Sequence, residues 1–274
     1  MGIDFASLES EFGVARYQVE AIQKLLEYTS LTGRRVLEVG GSNLPQRLTH
    51  GVLGAAEWVS VDIIGQGAYQ LSQQSEHYSS IGIRPLRDAA TAVGRADYVI
   101  LDGPIEEALD LPLGYFDVVV SITSFEHILA IPAALAAIRR AKRVGAPFFS
   151  YHGPIWSGPY GHHVWVDSLL NFNNDEWIEP HGHLLHSPPE MYARVVSRVG
   201  HERAQRVVLQ MYNEPRINRF FYEDYEAFFR GALVDLEISS YFDRPLPDGR
   251  QLRLEALYPR YRRFSAYGMT VFGR

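Results

Sequence analysis

The 274 residues contain no cysteine. That lack excludes disulfides, thiolate metal sites and a cysteine nucleophile, and it fits a cytoplasmic protein. The chain also lacks any run of about 18 apolar residues, so no membrane-spanning helix is expected. The N-terminal text MGIDFASLESEFG lacks the basic start and apolar core of a secretory signal. Met1-Gly2 followed by Ala6 and Ser7 departs from a myristoylation site at Ala6. Nor is there a basic block. The net charge is -6, with 14 Lys+Arg against 22 Asp+Glu in residues 1–200 and 12 against 10 in residues 201–274. Phosphate binding normally needs a clustered basic face, so nucleic acid is not the expected partner.

What is present is an alternation of strand-like and helix-like text. Val19, Ile22, Leu25 and Leu26 recur at helical spacing, which predicts an N-terminal helix over residues 14–32. RRVLEVG follows as a strand, and LPQRLTHGVL as a helix that tolerates Pro45 in its first turn. EWVSVDII, ADYVILDG, YFDVVVSITS and APFFSYHG read as four further strands, and IPAALAAIRRAKRVG as an alanine-rich helix. Strands apolar on both sides suit a parallel sheet covered by helices. Glu126 and His127 read as the first turn of the helix after the fourth strand. Residues 65–96 are polar and irregular.

The alternation predicts an α/β, Rossmann-like, doubly wound domain. The core spans residues 34–153. Residues 154–234, rich in His, Trp, Tyr, Asn and Pro, read as a cap inserted over the strand ends, with helices at SPPEMYARVVSRVG and YEDYEAFFRGAL. Two late strands in residues 235–274, DLEISSYF and FSAYGMTVFGR, flank the helix-like QLRLEALYPRYRR and complete a seven-stranded, mostly parallel sheet.

Ligands of such sheets bind at the carboxyl ends of the strands. Glu38 and Val39 run into Gly40, Gly41, Ser42 and Asn43. A dinucleotide fingerprint asks for G-x-G-x-x-G and a P-loop for Gly-Lys-Ser/Thr; this turn matches neither. Asp62 ends the second strand 22 residues after Gly40, with Ile63 next, and can accept hydrogen bonds from both hydroxyls of a ribose. Asp102-Gly103 ends the third strand, where an acid can accept from an adenine amino group, and Ser121 lies on the fourth.

VLEVGGSN, VSVDI, YVILDGPIEEALDLP and YFDVVVSITSFEHI, at these separations, resemble the class I S-adenosylmethionine-dependent methyltransferases over roughly residues 34–150. The departure is at the glycine motif, commonly E/D-x-G-x-G-x-G in that family. The resemblance implies S-adenosylmethionine as cofactor. Glu38 would orient the glycine loop. Gly40 and Gly41 would let the backbone approach its methionine part, Asp62 would bind the ribose, Asp102 would lie by the adenine and Ser121 would offer backbone contacts nearby, with Ser42, Ile63 and Gly103 also counted among the cofactor-binding residues.

Six of the ten histidines fall between residues 152 and 186. Methyl transfer to a hydroxyl needs an in-line acceptor and removal of one proton. His152, expected to emerge at the cleft edge, is the first candidate base, with His163 and His183 as rivals. His162, His163, Asp167, His181 and His183 supply metal-ligand types, but without H-x-x-x-H or H-E-x-x-H spacing, so no metal site is assigned. Tyr151, Trp156, Tyr160, Trp165 and Trp177 can wall an acceptor pocket.

The expectation is therefore a methyltransferase of a small molecule, a sugar or secondary metabolite methylated on oxygen, with a homo-oligomer open. No Asn-Pro-Pro-Tyr/Phe base-methylating motif follows the fourth strand, where Ser121-Ile122-Thr123-Ser124 stands. A nicotinamide-dependent oxidoreductase and a non-catalytic methyltransferase-like binding module are the other readings.

Overall fold

The computed structural model describes residues 3–41, 44–64, 82–172 and 176–274. Its sheet has eight strands: β1 (Arg35–Val39), β2 (Glu57–Asp62), β3 (Ile83–Pro85), β4 (Tyr98–Asp102), β5 (Val118–Ile122), β6 (Phe148–His152), β7 (Glu237–Tyr241) and β8 (Gly268–Gly273). The order is β3-β4-β2-β1-β5-β6-β8-β7. β3 through β6 are mutually parallel, while β8 runs antiparallel to both β6 and β7.

The eighth strand is β3, which sequence patterning passes over. It has three exposed residues and joins the sheet by pairing with Ile100–Asp102. An edge strand with no buried face leaves no apolar alternation to read.

Side-chain alternation divides each central strand between two cores. Leu37, Val39, Val59, Val61, Val99 and Leu101 face one cluster. It is closed by the helices Ile131–Ala141 and Tyr222–Ala232. Val36, Trp58, Tyr98, Ile100, Val118 and Val120 face the other. The helix Arg16–Tyr28 covers that side with Val19, Ala21, Ile22 and Leu25. The LPQRLTHGVL segment forms a π-helical turn over Arg47–Val52.

In the segment read as the cap, helix Pro188–Val199 packs on His201–Asn213. Val164, Ile178, Met191, Val195, Val207 and Met211 form their shared apolar cluster. Sequence patterning passes over the second helix, because its text HERAQRVVLQMYN is dominated by polar residues.

One ion pair clamps the amino end of the central strands. Asp117 accepts from the Arg35 backbone N–H and from both Nε and Nη2 of its guanidinium, and it also pairs with Arg143. The Arg35 hydrogen bond is the main cause holding the Asp117 carboxyl below the usual aspartate range. Its contribution is therefore present above that range and is lost as pH falls through the depressed value. We expect Asp117→Ala to lower unfolding free energy by about 1–3 kcal/mol near neutral pH, with a smaller difference at low pH. Urea melts at two pH values measure this, and equal midpoints for both proteins at pH 7 refute it.

Candidate functional site

The carboxyl ends of β1, β2, β4 and β5 lie side by side. Register pairs Asp62 directly with Asp102, and Glu38 with Ser60. The parallel strands thus bring residues from four separate stretches to one edge, as the fold class requires.

Gly40 and Gly41 both have left-handed backbones, φ +70° and +83°, a conformation that side chains with a Cβ rarely adopt. The Gly40 N–H donates to the Val61 carbonyl at 2.8 Å. A Cβ on Gly40 would overlap Oγ and Cβ of Ser124. The buried Ser121 hydroxyl donates to the Val39 carbonyl at 2.9 Å, tying β5 to the last residue before the turn. Ser42 lies outside the described residues.

The acids at the neighbouring strand ends hold backbone. Asp62 Oδ1 accepts from the Ile63 N–H at 2.8 Å, and Asp102 Oδ1 from the Ile64 N–H at 3.0 Å. Asp102 and Ile63 are exposed beside them. Gly103 fits closely under Leu86, and its N–H donates to the Asp62 carbonyl at 2.9 Å.

Glu38 is buried and its Oε2 accepts from Trp58 Nε1 at 2.9 Å and from Ser60 Oγ at 2.7 Å. The role implied for it, orienting the glycine loop, is thus accompanied by a bond across to β2. Burial pushes its carboxyl up to about 7 despite those two donors. A raised folded-state value means stability that is full below the unfolded value and lost as pH rises through about 7. Glu38→Gln should therefore flatten the stability–pH profile between about pH 4.5 and 7, by about 1–3 kcal/mol across the window. Guanidinium melts at several pH values test this, and parallel profiles for the two proteins discard it.

The histidines separate into two kinds. His152 does not emerge at the cleft edge, as expected; it is fully buried. It shares a strand face with Phe148 and Ser150, so its ring turns inward against Phe125, Tyr225 and Phe229. Burial lowers its pKa to about 3, and Nδ1 lies 2.9 Å from Ser150 Oγ. His183 is also buried, with Nε2 donating to the Trp156 carbonyl at 2.7 Å. Burial holds it well below the ordinary histidine value. His181 Nε2 donates to the Phe264 carbonyl at 2.7 Å, and His186 pairs with Glu179.

His163 has different company. One ligand-type atom each from Glu126, His127 and His163 lie within 4.8 Å of one another. Glu126 is not the first-turn acid expected from its text. Phe125–His127 is a separate 3-10 turn, and the helix starts at Ile131. Glu126 is only 3% exposed. Burial raises its carboxyl to about 8, although backbone N–H groups of Glu126 and Gly153 oppose the rise. Sequence spacing could not find this group, because Glu126-His127 and His163 lie 36 positions apart and the fold joins them. The chain connects this cluster to the glycine turn: Ser124, which would meet a Cβ on Gly40, precedes Glu126 by two residues.

The aromatic residues also divide. Tyr151 stacks on Tyr241 at 4.0 Å, Tyr241 lies 5.9 Å from Tyr267, and Tyr267 lies 6.0 Å from Tyr160. Burial raises the Tyr241 and Tyr267 hydroxyls, and Glu126 contributes to both. Trp156 instead meets His183, Trp165 meets Phe172, and Trp177 packs beside the Met191 cluster.

No protein-family model matches the sequence, and no curated protein matches it. Solved structures do. The chain is similar to an S-adenosylmethionine-dependent methyltransferase from Mesorhizobium loti, with TM-score 0.51, 11% identity, and coverage of 95% of this chain and 99% of that one. It is also similar to geranyl diphosphate C-methyltransferase from Streptomyces coelicolor A3(2), in complex with Mg2+, geranyl-S-thiolodiphosphate and S-adenosyl-L-homocysteine. That match has TM-score 0.50 and 12% identity, and covers 93% of this chain and 75% of that one. With its strand order, near-complete coverage and apposed strand ends, the chain has the fold of the class I S-adenosylmethionine-dependent methyltransferases.

Proposed function

We propose that the protein transfers a methyl group from S-adenosylmethionine to a hydroxyl of a small molecule, such as a sugar or secondary metabolite. The observation that carries this reading is the apposition of Asp62 and Asp102 beside the left-handed Gly40-Gly41 turn, on a methyltransferase fold. The S. coelicolor neighbour is named as bound to S-adenosyl-L-homocysteine, which supports the same cofactor here. Backbone at Gly40 and Gly41 receives the amino-acid end, because no Cβ stands between it and the ligand. Asp62 accepts from the ribose hydroxyls, with Ile63 against the same sugar. Asp102 and Gly103 border the adenine. Glu38 and Ser121 fix the strands that carry the turn.

The sulfonium is already a strong electrophile, so the protein has to align the acceptor and stabilise its oxygen as the proton leaves. Of the three candidate histidines, His163 is the one grouped with other polar atoms near the turn. His152 and His183 are enclosed by packing, and we assign them to the core. Activation of the hydroxyl falls to the Glu126–His127–His163 cluster. Tyr160, Tyr241 and Tyr267 supply the aromatic wall on which a small acceptor rests, with Tyr151 stacked behind Tyr241 in the core.

Calorimetric titration with S-adenosylmethionine and S-adenosylhomocysteine, with NAD as control, tests the reading. Binding of both sulfur nucleosides and not of NAD is expected. A folded protein that takes up neither ends it.

A further inference from the structure

We propose that Glu126, His127 and His163 form a binding site for a divalent first-row transition-metal cation, on which the acceptor hydroxyl is ligated. The inference deepens the methyltransferase reading and rests on it for the chemistry, though not for the site.

Two hydrogen bonds fix the tautomers of the histidines. His127 Nδ1 lies 3.0 Å from the Arg216 carbonyl, and His163 Nδ1 lies 2.7 Å from the Gly161 carbonyl. A carbonyl oxygen only accepts, so both Nδ1 atoms carry the proton. In the neutral rings this leaves the lone pair on each Nε2. Such a carbonyl behind the imidazole is the arrangement that fixes tautomer and ring direction in metal-ligating histidines.

The third donor is a carboxylate. Glu126 Oε2 and His163 Nε2 are both buried and have no hydrogen-bond partner. Burial of an unpartnered acceptor costs on the order of 1–3 kcal/mol, so two in one place need an explanation. One ligand-type atom from each of the three side chains lies within 4.8 Å of the others. A cation satisfies all three together. Modest rotamer adjustment brings such atoms to the distance of about 2.1 Å that imidazole and carboxylate ligands adopt.

The donor set selects the ion. Two imidazoles with one carboxylate suit Mn, Fe, Co, Ni or Zn better than Mg or Ca, which prefer all-oxygen shells. Three protein ligands leave coordination positions open, and His127 is exposed, so the open side can reach incoming molecules. An acceptor hydroxyl bound there loses its proton to solvent water more readily, because the cation lowers its pKa. The oxygen lone pair then forms the new O–C bond to the methyl carbon. The C–S bond breaks, its electron pair staying on sulfur, and the demethylated cofactor leaves as S-adenosylhomocysteine, a neutral thioether.

Cobalt supplies a readout independent of turnover. Chelator-treated protein is titrated with Co2+ alone, and the visible d–d absorption is followed. One Co2+ per chain is expected. His127→Ala is the main variant, because its exposed site makes folding safe, with Glu126→Gln as the second. Each should weaken binding by about 10-fold or more. Circular dichroism confirms the folded state. No saturable Co2+ signal in the folded protein overturns the proposal, and so does unchanged affinity in both variants. S-adenosylhomocysteine titrated into the same metal-free protein separates the two readings. Cobalt uptake without nucleoside binding leaves the metal site standing and removes the methyltransferase reading; nucleoside binding without cobalt uptake does the reverse.

Discussion

Gly40→Ala is expected to abolish measurable S-adenosylhomocysteine binding at concentrations that saturate the wild type, a loss of more than about 100-fold. Two penalties act at this position. The backbone sits at φ +70°, which costs a residue with a Cβ about 1–2 kcal/mol. The new methyl also lands on the Ser124 side chain. Because Ser124 Oγ is committed to the Ile122 carbonyl at 3.0 Å, it does not swing away freely. Relief has to come from the loop, whose hydrogen bond to Val61 positions the backbone proposed to face the ligand. Affinity therefore falls far more than the backbone term alone, which would be about 10-fold. Gly13→Ala is the matched control. Its φ is +68°, nearly the same, but nothing lies within 4 Å of the added carbon. It should lose stability by about 1 kcal/mol and keep its affinity. Wild-type affinity in Gly40→Ala would mean that the ligand does not touch this turn.

The residues in these predictions differ in how far sequence reveals them. The strand ends at Asp62 and Asp102 were legible because each closes an apolar run, and a parallel sheet collects such ends on one edge. The same logic carried the five central strands. It failed at β3, whose Ile83, Arg84 and Pro85 bury nothing. It also misplaced His152 through attention to residue type over parity. Phe148, Ser150 and His152 share a face, and the helix Tyr222–Ala232 covers that face with Tyr225 and Phe229. Glu126 was hidden for a different reason. An acid before a helix reads as a first-turn residue, and only the fold brings Gly153 and His163 against it. Sequence locates what one strand presents; what two distant loops enclose depends on tertiary packing.

That difference sets up the second large effect, at the ribose end. Asp62→Ala should weaken S-adenosylhomocysteine by about 30- to 300-fold. A carboxylate accepting from two ribose hydroxyls makes two charge-assisted hydrogen bonds, each of about 1.5–3 kcal/mol when removed from a closed site. The lower part of that range applies, because Asp62 is only half-buried. Part of the loss is conformational, since Asp62 Oδ1 also holds the Ile63 N–H. Asp62→Asn retains an oxygen acceptor for that N–H while removing the charge, so it should lose less than the alanine variant. 5′-Methylthioadenosine, which keeps the ribose but lacks the amino-acid half, divides the site. Asp62→Ala should weaken it by nearly the same factor as S-adenosylhomocysteine, whereas Gly40→Ala should leave it almost unaffected. The two variants then report opposite ends of one ligand lying across β1 and β2. If Asp62→Ala lowers neither affinity, the ribose does not lie at the end of β2. If Gly40→Ala lowers both equally, the glycine turn acts by deforming the whole cleft and makes no contact with the methionine end.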